Sequence, residues 1–393
     1  MKACIKGNIP LVEKLLQAGF DPNYEWYNST PLMAACSNSQ TAIVTLLLMH
    51  GANPNLICVH TSALMRAVSA GSAEYVEQLL IYGADANFFI LQNSIQNSGV
   101  AECETVLLRA IYKGHAAIVE LLLFYGANPN YRPNRIQGVP TPLLAALKRG
   151  SSSIYDLKTV YQNPSIADTN KRMAKALLVH GADVHAQAQN NTDEELETAA
   201  LIAAASGDIT LLDLLLFYGL TEIEYPYIAS PLHIAVRANN RVFIERYHAL
   251  GGTINAKDHE ERTPLHEAAR TKNTELIELL MQLGAHIDSK DSNGQTPLYE
   301  ALEDVDWDIT TEHIRALLEH GADTQIQDYN GDTPLIFVIK KYDAESCSPE
   351  DSKASVLQAI DILLEFDATP LTKNNSGESA YDLAQKEGLF LWT

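Results

Sequence analysis

The sequence predicts an all-α solenoid of about eleven helix–turn–helix units with finger loops, running as a single array over residues 1–393. Three observations carry this prediction. A Thr-Pro-Leu start recurs along the chain, each such start is followed by an alanine placed sixteen residues before a glycine in most units, and no unit holds enough apolar surface to make a core alone. Residues 261–291 show the unit most plainly. Thr263 suits an N-cap, where a hydroxyl takes up an orphan backbone N–H, and Pro264 suits the first helical position, where no donor is missed. Leu265, Ala268 and Ala269 share one helical face, with alanines small enough for close approach of a neighbour. In the second helix Leu276, Ile277, Leu279 and Leu280 give an apolar face wider than one hairpin can bury, and Gly284 ends it in the left-handed conformation. The unit therefore needs neighbours.

Taken in order, the first unit is incomplete over 1–25. Ala3 to Gly19 keeps the spacing and Leu11, Val12, Leu15 and Leu16 form a second helix, but no Thr-Pro precedes Ala3, which places Met1 inside a helix and points to residues upstream of it or else to a shortened helix as the N-terminal cap. Thr30-Pro31-Leu32 then pairs Ala35 with Gly51; looser starts at Ser62, Thr105 and Thr198 pair Ala67 with Gly83, Ala110 with Gly126 and Ala203 with Gly219; Ser230-Pro231-Leu232 pairs Ala235 with Gly251. Units opening at Thr141, Thr296 and Thr333 carry extra residues between their helices. The segments 90–103 and 188–197 lengthen fingers, whereas 151–169, 303–309 and 341–354 lengthen the turn between paired helices; their Ser, Asn, Asp and Pro content predicts loops. A closing unit, about 374–393, has Ser379-Ala380 for Thr-Pro, a polar Asp382 and an apolar tail, 388–392, expected to fold back over the last helix or else to serve as a sorting or secretion signal.

A period of 32 to 33 residues, Thr-Pro-Leu-His at His233 and His266, and Gly-Ala-Asp/Asn at Gly51, Gly83, Gly126, Gly181 and Gly321 resemble the ankyrin repeat over nearly the whole chain. The resemblance implies a stack whose β-hairpin-like fingers reach from each Gly-Ala to the next Thr-Pro. It implies a binding scaffold without activity of its own. It also implies that Asn23, Asn55, Asn87, Asn130 and Asn255 stand where an asparaginyl hydroxylase modifies many members, and that His233 and His266 hydrogen-bond backbone segments. The irregularly inserted repeats are similar in style to ankyrin effectors that intracellular bacteria inject into host cells.

Five cysteines, Cys4, Cys36, Cys58, Cys103 and Cys347, are scattered without zinc spacing, and Cys36 fills a small core position. No run approaches the roughly 20 apolar residues of a membrane span and no leader h-region opens the chain, so a cytoplasmic protein, or one in the host cytoplasm or nucleus if secreted, is expected. The net charge of −21 opposes nucleic acid. It is graded. Residues 1–150 carry 10 Lys/Arg against 9 Asp/Glu, residues 151–300 carry 12 against 21, and residues 301–393 carry 6 against 19.

No catalytic signature or phosphate-cradling loop is present, and no cofactor or metal is expected. Of twelve histidines, His50, His180 and His320 directly precede helix-ending glycines, where they suit the negative end of the dipole. Two surfaces are candidate binding sites. Tyr24, Trp26 and Tyr27 crowd the first finger, Phe88 and Phe89 the third, Tyr131 the fourth, and Tyr225 with Tyr227 a later one; exposed aromatics anchor partners at small entropic cost. On the resemblance, the groove is lined by Arg66, Arg109, Tyr112, Lys113, Lys148, Arg149, Arg237, Arg270 and Lys272, eight of the nine cationic and so suited to an acidic or phosphorylated peptide. The expectation is a monomeric scaffold for another protein, or else the recruiting arm of a larger enzyme or ubiquitin-ligase adaptor.

Overall fold

The computed structural model describes residues 1–38, 40–92, 102–131, 140–151, 156–189, 196–220, 230–303, 311–341 and 350–386. The chain divides into two compact units, Met1–Thr221 and Glu222–Thr393. Each is a stack of helix pairs.

In the first unit the pairs are Lys2–Ile5 with Ile9–Gln17, Pro31–Ser37 with Thr41–Met49, Ala63–Ala70 with Ala73–Ile81, Val106–Lys113 with Ala116–Phe124, Pro142–Lys148 with Pro164–Val179, and Ala199–Ser206 with Ile209–Phe217. The second unit holds Pro231–Arg237 with Arg241–Ala249, Pro264–Arg270 with Thr274–Gln282, Pro297–Glu303 with Glu312–Glu319, Pro334–Lys341 with Glu350–Glu365, and the closing helix Ala380–Lys386. First helices contact first helices of the next pair, and second helices contact second helices.

The starts work as their residues dictate. Thr30, Ser62, Thr105 and Thr141 each accept, through the side-chain hydroxyl, the N–H three residues on, at 3.0 to 3.4 Å. Between pairs, the alanines and leucines interlock: Ala35, Ala67, Ala110, Ala146, Ala203, Ala235 and Ala268 are fully buried. Second helices end on glycines such as Gly51 (φ 84°) and Gly284 (φ 90°), and a Cβ there would meet nothing within 4 Å. Backbone conformation, rather than packing, is therefore what selects glycine. Asp367 takes the same place at φ 60°.

The lengthened fingers are hairpins. Phe89–Gln92 pairs antiparallel with Glu102–Thr105, and Gln187–Gln189 with Leu196–Thr198. Residues 151–169, expected as a loop, are instead partly helical and part of the core: Leu157–Tyr161 forms a short helix, Pro164 opens the following one, and Leu157, Tyr161 and Ala167 are buried. The Tyr161 hydroxyl donates to the Leu147 carbonyl at 3.1 Å, which lets a polar tip enter an apolar layer. Its Ser and Asn content concealed this because the apolar residues fall four apart, a helical spacing in a polar background. At 341–354, Glu350–Glu365 likewise starts inside the expected loop. Met1 caps a first helix of only four residues. The closing start is held by Ser379 and Asp382, each bonding the other's backbone N–H at 3.0 and 3.2 Å. Tyr225, Tyr227 and the tail 388–392 lie outside the described residues.

Candidate functional site

The first two fingers of the first unit are built alike and differ from all the later ones described. At the tip of the first, Tyr27 and Asn28 have φ of 49° and 57°; at the tip of the second, Val59 and His60 have φ of 46° and 55°. Two successive positive-φ residues make a tight hairpin turn, closed here by the Trp26 N–H on the Ser29 carbonyl at 3.0 Å and by the reciprocal Cys58–Thr61 pair at 3.0 and 3.2 Å. Such turns ordinarily use Asn-Gly. Tyrosine and β-branched valine in this conformation are strained, by roughly 1–3 kcal/mol per residue.

What the strain presents is apolar surface. Tyr27 is 84% exposed, and Tyr24, Trp26, Ile57 and Val59 are exposed with it. The Trp26 and Tyr27 rings meet edge to face at 4.7 Å, fixing both as a rigid pair. The two fingers touch: the Cys58 thiol is pushed up by burial and then by the Glu25 carboxylate of the neighbouring finger. Beneath Tyr24 and Trp26 lies a cleft of about 590 Å³, walled by Phe20, Leu16, Leu47 and Met1. Sequence reasoning found Trp26 and Tyr27 but missed Ile57 and Val59. Neither Tyr-Asn nor Val-His signals a tight turn, so only the backbone reveals the second finger as the first one's match. Phe89, by contrast, rests 5.9 Å from the Tyr131 ring of the next finger, as packing would require.

The cationic residues divide. In the second unit, Glu267 is almost fully buried and accepts from Arg237 (3.0 and 3.3 Å) and Arg270 (2.5 Å). Burial pushes its carboxyl up, but these bonds hold it below the ordinary carboxylate range. Arg237 therefore clamps its pair to the next, while Arg270 braces the same carboxylate from within its own helix. The Lys272 backbone sits at φ 55° just beyond. In the first unit, Arg66 donates to Ser37 at 3.3 Å and Arg109 to Ser69 at 3.2 Å, each reaching the preceding first helix, and Arg109 also forks onto Glu104 at 2.5 Å. Arg149 lies over Gly114, where a Cβ would stand 2.1 Å from the guanidinium. Any larger residue there would displace the guanidinium, and the φ of 75° itself favours glycine. Tyr112 and Lys113 are exposed, and Lys148 is half-buried on the next first helix. His115, between them, is pushed below its ordinary value by burial, then by Lys113 and Arg149. Lys113 and Arg149 thus stand close to one imidazole at this junction. Glu104 and Glu267 thus neutralise Arg109, Arg237 and Arg270, and no carboxylate lies within ion-pair distance of Arg66, Lys113 or Arg149 among the described residues.

Two ladders hold these surfaces in register. The Asn23, Asn55, Asn87, Asn130 and Asn255 amides donate to the carbonyls of Gly51, Gly83, Gly126, Gly181 and Gly284 at 2.7 to 3.1 Å. Their oxygens accept the N–H of Asn53, Asp85, Asn128, Asp183 and His286 at 2.7 to 2.8 Å. Each asparagine therefore ties one finger to the next helix end. The second ladder is the histidine slot. His233 and His266 present Nε2 to the Arg262 and Gln295 carbonyls at 2.9 and 3.2 Å, and Tyr299, in the same slot, donates to Asp332 at 2.6 Å. Burial lowers His266 to about 4, so it is neutral and its Nδ1 accepts the Thr263 N–H. His50, His180 and His320 place Nδ1 2.8 Å from the carbonyl four residues back, at the helix ends where they were expected. Among the described residues no three of His, Cys, Asp or Glu converge on a metal-sized site, and no helix is long and apolar enough to cross a membrane.

The family model for three copies of the ankyrin repeat matches residues 1–90 and 232–328, and that for a single ankyrin repeat matches 103–134, together more than half of the chain. The chain belongs to the ankyrin-repeat family. Within this ankyrin array the unmatched stretches include 135–231, which contains the helical insertion before Val179, and everything after residue 328. Ankyrin arrays are generally protein–protein interaction modules. A search of curated proteins finds no match.

Proposed function

We propose that this ankyrin-repeat protein is a scaffold that captures another protein through the paired finger tips of its first unit, with the cationic first helices beside them receiving an acidic or phosphorylated stretch. It acts by binding, without a chemical step. The observation that carries the reading is the pair of strained tips. Nothing in the stack requires Tyr27 and Val59 to be large, and a glycine at either place would relax the turn. Large apolar residues kept exposed at an energetic cost are what a binding anchor needs. The cleft under Trp26 offers a pocket for one apolar side chain of the partner, while Arg66, Lys113, Lys148 and Arg149 supply charge-assisted bonds.

Affinity capture from cell lysate tests it. Wild type is compared with Trp26→Ala/Tyr27→Ala and with Arg66→Ala/Lys113→Ala/Lys148→Ala/Arg149→Ala. The expected result is one partner lost from the finger variant by tenfold or more, and a weaker, salt-dependent loss from the charge variant. A partner retained equally by both variants excludes these surfaces.

A further inference from the structure

Five successive second helices of the first unit end on a large apolar residue: Met49, Ile81, Phe124, Val179 and Phe217. All are exposed, between 58 and 82%. The helix before them ends on Gln17, and those after end on Ala249, Gln282, Glu319 and Glu365, so the pattern begins and stops with the run. Single exposed hydrophobics need no explanation, but five at one structural position do. They also stand in line. Each lies two residues before a glycine, and four of those glycines are pinned through their carbonyls by the asparagine ladder, the fifth, Gly219, by His185 Nε2 at 3.1 Å. With helices packed roughly 8–10 Å apart, the row runs about 40 Å.

We infer that this row is a self-association surface, on which a second copy of the chain docks antiparallel about a two-fold axis near Phe124. Charge favours that occupant. Residues 1–221 carry 14 Lys/Arg against 18 Asp/Glu, a net of −4, whereas residues 222–393 carry 14 against 31, a net of −17. A basic partner or membrane-binding role would belong with strong charge, and the row lies in the nearly neutral part, where two copies meet with little repulsion. Size favours it too. The two-fold brings Phe124 onto its own counterpart, sets Ile81 opposite Val179, and sets Met49 opposite Phe217, a sulfur–aromatic match. At their observed exposures the five side chains offer roughly 600 Å² per copy, and rim residues such as Tyr82 and Tyr125 bring this toward the roughly 800 Å² per partner of a standard interface.

Sedimentation equilibrium of the full chain at up to about 100 µM tests this, since an interface of that size supports a Kd near or below about 10 µM. Wild type is expected to reach twice the mass of the chain. Ile81→Glu/Phe124→Glu is expected to stay monomeric with unchanged circular dichroism, because both side chains are already in water. Trp26→Ala/Tyr27→Ala is expected to dimerise as wild type does, which separates this surface from the fingers. Phe124→Cys, next to the axis, is expected to cross-link to its copy on mild oxidation at a rate that a Met49→Cys variant does not match. A monomer at 100 µM, which would leave the row to a different protein or a lipid surface, overturns the inference. So does a dimer that survives the double glutamate variant or is abolished by the finger variant.

Discussion

Asp288 stands where five other repeats keep asparagine, and it shows what the amide contributes. It accepts the Asp323 N–H at 3.1 Å, as an asparagine would, but a carboxylate has no hydrogen to give the Gly321 carbonyl. Burial, and the nearby Asp323 carboxylate, push its carboxyl above the ordinary value despite that bond. Asp288→Asn is therefore expected to stabilise the chain by about 1 kcal/mol in urea unfolding near neutral pH, and Asn55→Ala to destabilise it by a similar amount. Tyr299→Phe removes a buried donor from the Asp332 carbonyl and is expected to cost about 1–3 kcal/mol by the same measurement. The sequence showed these positions as a repeated letter after each glycine. Their role was not legible, because the bonding partner lies about thirty to fifty residues away and only the stack brings it near.

At the level of elements, the helices followed from Thr-Pro-Leu starts and glycine stops, since capping and the left-handed stop are local chemistry. The finger tips did not, because their turns use residues that ordinarily avoid positive φ. Val59→Gly is accordingly expected to raise the melting temperature, by relieving strain worth about 1 kcal/mol or more, while weakening partner capture. An equal loss of both would show the tip to be structural. The cationic groove was only half legible: spacing placed the arginines on first helices but could not show that Glu267 gathers two of them. Glu300, at the same position one pair later, has no such clamp, and burial raises it to about 7. A carboxyl raised in the folded state contributes stability that is full below its unfolded value and lost as pH rises through the folded one. Stability is thus expected to decline from about pH 5 to pH 7 and above, and Glu300→Gln to flatten that slope in urea titrations.

Over the whole molecule, charge and apolar surface are segregated. The second unit carries most of the net charge, with its self-repulsion, and ends its second helices on alanine or polar residues; the first unit is nearly neutral and holds both the strained fingers and the apolar row. Added salt is expected to slow hydrogen exchange in 230–386 more than in 1–220, by screening that repulsion. The repeat made the architecture legible because every unit restates it, whereas the binding surfaces break the repeat and are visible only where side chains depart from it. The most direct test is hydrogen exchange of the full chain with and without its captured partner. New protection centred on 24–29 and 57–61 is expected. Protection confined to 230–386, or none in the first two fingers, would contradict the assignment of binding to those tips.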